Sequence, residues 1–282
     1  NVKTMEEALV KLEGFKLDGV VITSMAENIK ATEVTASPLH FARFEFKYIL
    51  SAAKRQAVET DLLYFLEYDP FVANRPDHKY FVRSLYFDDP AYSAFHDKID
   101  GLKSRYKFRV RTYSSSPEMN SPVFLEIKGR HNNLVFKHRT PILREGSHEN
   151  RLNGSWLPTE ILNDAQDGSV RDQFEFDIYR KHLKPVALID YHRRPYISKY
   201  DPGFRITFDE KLQATQTTRL FPLHNTCAPR RVIPGYTVVE VKFQHHLPSW
   251  FHQVIQAHEL QRISISKIVA GMERLGLAYD EH

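Results

Sequence analysis

The sequence predicts an α+β fold: a curled sheet or barrel whose charged face points inward, with helices packed outside. Two observations carry this. Nineteen Phe and fourteen Tyr sit among short alternating runs, a composition that suits pleated, half-buried surfaces. At least five of those runs put charged side chains on one face and aromatic or aliphatic ones on the other, because successive strand residues point to opposite sides. Segments of helical period between the runs supply the α component.

At 282 residues the chain has room for one large domain or two small ones. Apolar residues at 42% are ample for a core. The net charge of +4 is modest, so the lysines and arginines matter through their placement. Cys227 is the only cysteine, which rules out a disulfide framework or a cysteine zinc site and fits a reducing compartment. No apolar run approaches the ~20 residues of a membrane span. The expectation is a cytoplasmic protein, including the cytoplasmic face of a membrane reached through a partner or a flanking domain. Because the chain begins at Asn1 rather than Met, flanking domains are expected beyond it.

Residues 1–40 read as a short helix (Met5 to Leu12) and a connecting extension, and 41–282 as the main domain. Phe41 to Ile49 is the first strand. Ser51 caps a helix running to about Tyr68, which Asp69-Pro70 ends. Tyr80 to Phe87 is a strand, Asp88-Asp89-Pro90 caps a short helix, and Asp100-Gly101 turns the chain into strand 104–113. Val123 to Lys128 and Leu134 to Arg139 follow as strands. Residues 142–185 lose the period of two and read as a helical insertion with helices at Thr159–Asp164 and Gln173–Leu183. Strands resume at Val186–Tyr191, Arg193–Ser198, Phe204–Asp209 and Thr237–Phe243, and two helices close the chain.

The most charged strand is Arg105-Tyr106-Lys107-Phe108-Arg109-Val110-Arg111, with all its cations on one face. Like charges at that spacing repel. The ordinary explanation is a solvated basic edge strand. The same alternation recurs, however, with Lys47, Lys128, Lys137, Arg139, Arg205 and Lys242 facing the same way as the fewer carboxylates Glu45, Glu126 and Glu240. In a barrel these line the interior. A bare basic interior is costly, so the physical solution is a bound polyanion with a divalent cation bridging the carboxylates. Arginine forks suit phosphate oxygens, and lysine acts as a point charge.

The ordered set Arg43-x-Glu45-x-Lys47-Tyr48, Ser84-Leu85-Tyr86-Phe87-Asp88, Lys107-x-Arg109-x-Arg111, Glu126-Ile127-Lys128, Tyr191-x-Arg193, Arg205 to Asp209, Glu240-Val241-Lys242 and Ser266-Lys267 resembles the polyphosphate polymerase domain of the vacuolar transporter chaperone (VTC) family, within the triphosphate tunnel metalloenzymes. The resemblance covers about residues 41–275. It implies an antiparallel eight-stranded β-barrel, the triphosphate tunnel, that binds ATP with Mn²⁺ or Mg²⁺ and moves its γ-phosphoryl group onto a growing polyphosphate chain. It also implies ATP, polyphosphate and orthophosphate as ligands, and leaves room for a membrane partner outside this chain.

Carried over by position, the resemblance implies that Arg109, Arg111, Lys128, Arg193 and Lys267 serve catalysis. Lys47, Lys107, Lys137, Arg139, Tyr191, Arg205, Lys242 and Ser266 would bind substrate, and Glu240 with Glu45 would hold the metal. Arg105 is expected at the mouth or in solvent. Related hydrolase and cyclase tunnels carry Glu-x-Glu-x-Lys on the first strand. Arg43 replaces the first of those glutamates, which favours the polymerase branch over a triphosphatase. Ser264 stands where the family often has a cation, which keeps a non-catalytic polyphosphate- or nucleotide-binding module as an alternative. Glu126 and Asp209 are expected to pair with arginine rather than with metal. Asp88 reads as a helix cap, Glu175 and Asp177 as helix surface, and His245, His246, His252 and His258 as loop and helix-edge residues. Trp250, Phe251, Val254 and Ile255 read as core outside the barrel. Nucleic acid is not an expected partner, because the aromatics alternate away from the cations.

Overall fold

The structure, a computed structural model, describes residues 44–117, 122–132, 134–142, 158–222 and 228–279. Its strands are β1 (Phe44–Ser51), β2 (Leu66–Tyr68), β3 (Tyr80–Asp88), β4 (Ser104–Thr112), β5 (Val123–His131), β6 (Leu134–Ile142), β7 (Lys184–Ser198), β8 (Arg205–Thr215), β9 (Arg230–Arg231) and β10 (Tyr236–Phe243). The helices among the described residues are α1 (Ala52–Leu62), α2 (Pro70–Ala73), α3 (Ser93–Ile99), α4 (Pro158–Asp164), α5 (Ser169–Lys181), α6 (Ser249–Ala257) and α7 (Lys267–Leu275).

One sheet holds all the strands in the order β1-β10-β8-β7-β3-β4-β5-β6, with short β2 on β7 and β9 on β8. Every pairing along this path is antiparallel. The α+β class and the antiparallel path of main strands are therefore as expected. Among the described residues no ladder joins β1 to β6, so hydrogen bonds do not close the barrel. Edge strand β6 carries Lys137, His138 and Arg139, charge of the kind that keeps an edge from pairing. The edges still face each other, since Lys128 Nζ on β5 lies 3.4 Å from Glu45 Oε2 on β1.

Two apolar clusters cover the convex side. Tyr48, Leu50, Ile206, Phe208, Val239 and Val241 pack under Val58 and Leu62 of α1 and Phe251 and Val254 of α6. Phe108, Val110, Leu125 and Ile127 pack under Ile161 and Leu162 of α4 and Phe174 and Ile178 of α5. These are the outward halves of the alternating strands, so the cations opposite them must face the hollow.

Helix α7 departs from the outer arrangement. Its Ile268, Val269 and Met272 pack with Val82, Tyr86, Ala187, Ile189, Tyr191, Leu212 and Ala214. Those β3 and β7 positions share the parity of Ser84 and Arg193, so α7 sits on the concave face. On β8, Lys211 in the left-handed region (φ 54°) makes a bulge where β7 and β8 shift register. The extra residue puts Leu212 and Ala214 on the same face as Thr207 and Asp209. Gly271 permits the close approach: a Cβ there would meet Ile189 Cδ1 at 2.5 Å. The interior is therefore ionic over one part and apolar where α7 plugs it.

Several boundaries differ from expectation. Ser51 does cap α1, accepting from Lys54 N, but the helix ends at Leu62 because Leu66–Tyr68 pairs with β7. The two strands expected over 186–198 are one, β7, and β8 runs on to Thr215. Helix α5 starts at Ser169, before the expected Gln173. Asp177, expected on a helix surface, is buried and held by Gln173 and Lys181. Arg43, the extension over 1–40 and residues 143–157 of the insertion lie outside the described residues. No helix among the described residues is long and apolar enough to cross a membrane.

Candidate active site

The register of the sheet aligns the inward side chains in rows. Lys107 on β4, Lys128 on β5 and Lys137 on β6 are consecutive partners, as are Arg109, Glu126 and Arg139. Across the hollow, Lys47 on β1 pairs with Glu240 on β10, which pairs with Thr207 on β8, while Glu45 pairs with Lys242 and then Arg205. Most of the expected site residues therefore meet around one space.

One wall is organised by Glu126, which is wholly buried. Arg109 donates to its Oε2 from Nε at 2.8 Å and lies 2.6 Å away through Nη2. Arg111 Nε is 3.8 Å from the same oxygen, and Lys137 Nζ is 3.6 Å from Oε1. The arginines also bond hydroxyls of β3 and β7: Arg109 to Tyr86, Arg111 to Ser84 and, at 3.4 Å, to Tyr191. Burial raises the carboxyl of Glu126, but Arg109, Arg111 and Lys137 overcome that and hold it at about 2. Arg111 is held mainly by neutral groups, so its charge is the more open to an anion.

The second wall centres on Arg193. Its Nε and Nη2 grip both oxygens of Asp209 at 2.6 and 2.7 Å, and Nη2 also donates to Glu240 Oε2 at 3.0 Å. Lys267, the first residue of α7, lies 2.6 Å from both Asp209 and Glu240. Tyr191 lies beneath Arg193 and Lys267, with each cation within about 5.3 Å of the ring centroid, and so links the two walls through Arg111. The expected pairing of Glu126 and Asp209 with arginine is what the geometry contains.

Lys47 donates to the Ile265 carbonyl and bridges Glu45 (3.2 Å) and Glu240 (3.7 Å). Burial raises both carboxyls, yet the surrounding lysines hold them far below the usual range: Lys128 and Lys47 at Glu45, Lys267 and Lys47 at Glu240. Lys107 donates to Ser266 Oγ at 2.6 Å, so this serine at the start of α7 does not cap its helix. Burial beside Lys47, Lys128 and Arg105 pushes Lys107 well below the ordinary lysine value. Burial likewise pulls Lys242 down to about 8 despite Glu45 and Glu240.

The remaining sites lie farther out. Lys137, Arg139 and Arg205 are exposed, and Arg139 stacks over Phe124 at 4.6 Å. Arg105 bonds the Leu102 carbonyl. Asp88 takes the backbone N–H groups of Ala94 and Phe95, as a helix cap should. His258 pairs with Asp61. Among the described residues no three His, Cys, Asp or Glu side chains gather as a metal cluster. Glu45 and Glu240, both facing Lys47, still fit a hard cation, since Mg²⁺ commonly takes one or two carboxylates and completes its shell with phosphate oxygens and water.

Sequence reasoning gave no role to Tyr86, Ser84 or Thr207. Their signal was parity: each shares the inward face with a cation or carboxylate.

The VTC domain matches residues 42–276. The chain belongs to the VTC domain family. No curated protein matches the chain. Solved structures similar to this VTC domain include a Bacillus halodurans protein described as a candidate adenylate cyclase (12% identity, 79% of this chain and 92% of that one, TM-score 0.45). Another is a Hippeastrum protein described as a candidate adenylyl cyclase with a dominant triphosphatase activity (12% identity, 85% and 98%, TM-score 0.44). A third is a Pyrococcus horikoshii protein (11% identity, 82% and 98%, TM-score 0.42).

Proposed function

We propose that this VTC domain is a polyphosphate polymerase that transfers the γ-phosphoryl group of ATP to the end of a polyphosphate chain held in the tunnel. The observation that carries the reading is the buried charge imbalance. Glu45, Glu126, Asp209 and Glu240 are tied to Lys47, Arg109, Lys128, Arg193 and Lys267, which leaves Lys107 and Lys242 facing the same hollow with no ion pair among the described residues, and Arg111 with only a share of Glu126 at 3.8 Å. A triphosphate supplies the missing charge.

Phosphoryl transfer needs alignment and charge neutralisation more than covalent help. A terminal oxygen of the chain forms the new bond to the γ-phosphorus, the β–γ bridging bond breaks, and ADP leaves. The attacking oxygen is already anionic, so no general base is required. In this reading Arg111 and Arg109 hold the equatorial oxygens, while Lys128, Arg193 and Lys267 complete the cationic ring around the transferred group. Lys47, Lys107, Lys242, Tyr191 and Ser266 position the rest of the triphosphate, and Lys137, Arg139 and Arg205 meet the chain at the rim. Glu240 and Glu45 would hold Mg²⁺ or Mn²⁺, which supplies further neutralisation of the phosphate oxygens when bound.

Purified protein given ATP and Mn²⁺ is expected to release ADP and build long polyphosphate, read on a gel and by nucleotide chromatography. Orthophosphate and ADP without polymer would replace this reading with a hydrolase; binding without turnover would reduce it to a binding module.

The depressed lysines add a pH dependence. Below pH 8, Lys242 is charged in the free protein. Above it, the free protein has shed a proton that the complex must hold, so binding takes one up. Tripolyphosphate affinity is expected to fall as the pH rises from about 8 to 10, at a limit of roughly tenfold per pH unit. Titration calorimetry in buffers of different ionisation enthalpy reads the uptake, and Lys242→Met should reduce it. Unchanged affinity across that range would show that Lys242 does not face the anion.

A further inference from the structure

A buried polar atom without a partner destabilises a protein, so each one asks for a reason. Among the described residues the side-chain atoms in that state are Thr112 Oγ1, Glu126 Oε1, His192 Nδ1, Arg194 Nε and Thr207 Oγ1. Strand parity sorts them. Thr112 lies opposite in parity to Arg109 and Arg111, and His192 and Arg194 opposite to Tyr191 and Arg193, so these three face away from the tunnel. Glu126 faces it but has Lys137 at 3.6 Å. Thr207 faces it with nothing to bond, and is only 8% exposed.

Its neighbours explain why. In register, Thr207 sits between Glu240 on β10 and Pro195 on β7. Proline offers no side-chain donor or acceptor. The oxygens of Glu240 accept from Lys267 and Arg193 and make no bond with Thr207. The hydroxyl is thus held on the face where Arg193, Lys267 and Lys47 converge on Glu240, a cationic setting that favours an incoming anion over another donor.

We propose that Thr207 is a binding residue of the tunnel, donating its hydroxyl proton to a phosphoryl oxygen of the bound triphosphate. This rests on the triphosphate reading of the tunnel. It makes the hydroxyl a feature that costs the empty protein stability and is satisfied only when ligand is present.

The test is Thr207→Val, which keeps the shape and removes the hydroxyl, with Thr207→Ser as the conservative control. Without ligand, the valine variant is expected to melt about 2 °C higher than the parent, because an unsatisfied group has gone. In EDTA, its affinity for tripolyphosphate is expected to fall about tenfold by calorimetry, while serine keeps the parent's affinity. Equal affinity of parent and valine variant would overturn the proposal alone. A loss confined to Mg²⁺- or Mn²⁺-containing buffer would also overturn it, because the hydroxyl would then serve the cation's water shell. A parent that binds no tripolyphosphate at all would overturn the triphosphate reading, and this proposal with it.

Discussion

Arg193→Ala is expected to cost the empty protein about 3–5 kcal/mol and to lower phosphoryl transfer by roughly 10²–10³-fold. The stability loss follows from what the side chain holds together. Arg193 is 9% exposed and contacts both oxygens of Asp209 and one of Glu240. Burial would depress its charge, yet Asp209 and Glu240 hold it well above the ordinary arginine value. Truncation leaves the wholly buried Asp209 with Lys267 as its remaining cation. Lys267 then serves both carboxylates without the guanidinium that shares them. Arg193→Lys separates the two effects. It restores a charge but not the planar fork, so it should recover part of the melting temperature and little of the turnover. Melting curves and polymer yield on both variants read this directly. Turnover within twofold of the parent in the alanine variant would make Arg193 a structural residue only.

The strands were legible wherever a charged face opposed an apolar one. Phe44-Glu45-Phe46-Lys47-Tyr48 and Val239 to Phe243 alternate cleanly, because one side packs under α1 or α6 and the other faces the charged hollow. The same alternation located Arg109, Arg111, Glu126 and Glu240; Glu126 and Asp209 pair with arginine as expected, while Glu45 and Glu240, expected to hold a metal, are ion-paired as well. What alternation could not convey was any departure from period two. The expected strand stopped at Asp209; beyond it the bulge at Lys211 reverses parity, so Leu212 and Ala214 face inward although they keep the even spacing of the outward Ile206 and Phe208. Helix α7 has an ordinary apolar stripe, Ile268 and Met272, and a stripe does not say which side of a sheet it will cover. Only the apolar inner residues Ile189 and Ala214, together with the space left at Gly271, decide that. The end of α1 was misplaced for a similar reason. Phe65 and Leu66 fit a helical period, but Leu66 to Tyr68 gain a ladder with β7. Parity put Thr207 on the inward face, but a lone threonine there has no assignable role until its hydroxyl is found without a partner.

Glu126→Gln should separate the demands of folding from those of the ligand. In the empty protein this carboxylate balances Arg109, Arg111 and Lys137. Its folded-state pKa of about 2 lies below the usual 4.5, so its stabilisation is complete above pH 4.5 and is lost as the pH falls toward 2. The difference corresponds to about 3 kcal/mol at neutral pH, which the glutamine variant should lack. Parent and variant should therefore diverge at pH 7 and converge as the parent is acidified. Tripolyphosphate is expected to act in the opposite sense. With Glu126 neutral, Arg109 and Arg111 have no buried carboxylate, and the anion takes its place. The melting temperature should then rise more with tripolyphosphate in the variant than in the parent, even though Arg109 is less well oriented and turnover falls. An equal or smaller rise would mean that the arginines of β4 do not face the anion, and the site would have to be sought around Arg193 alone.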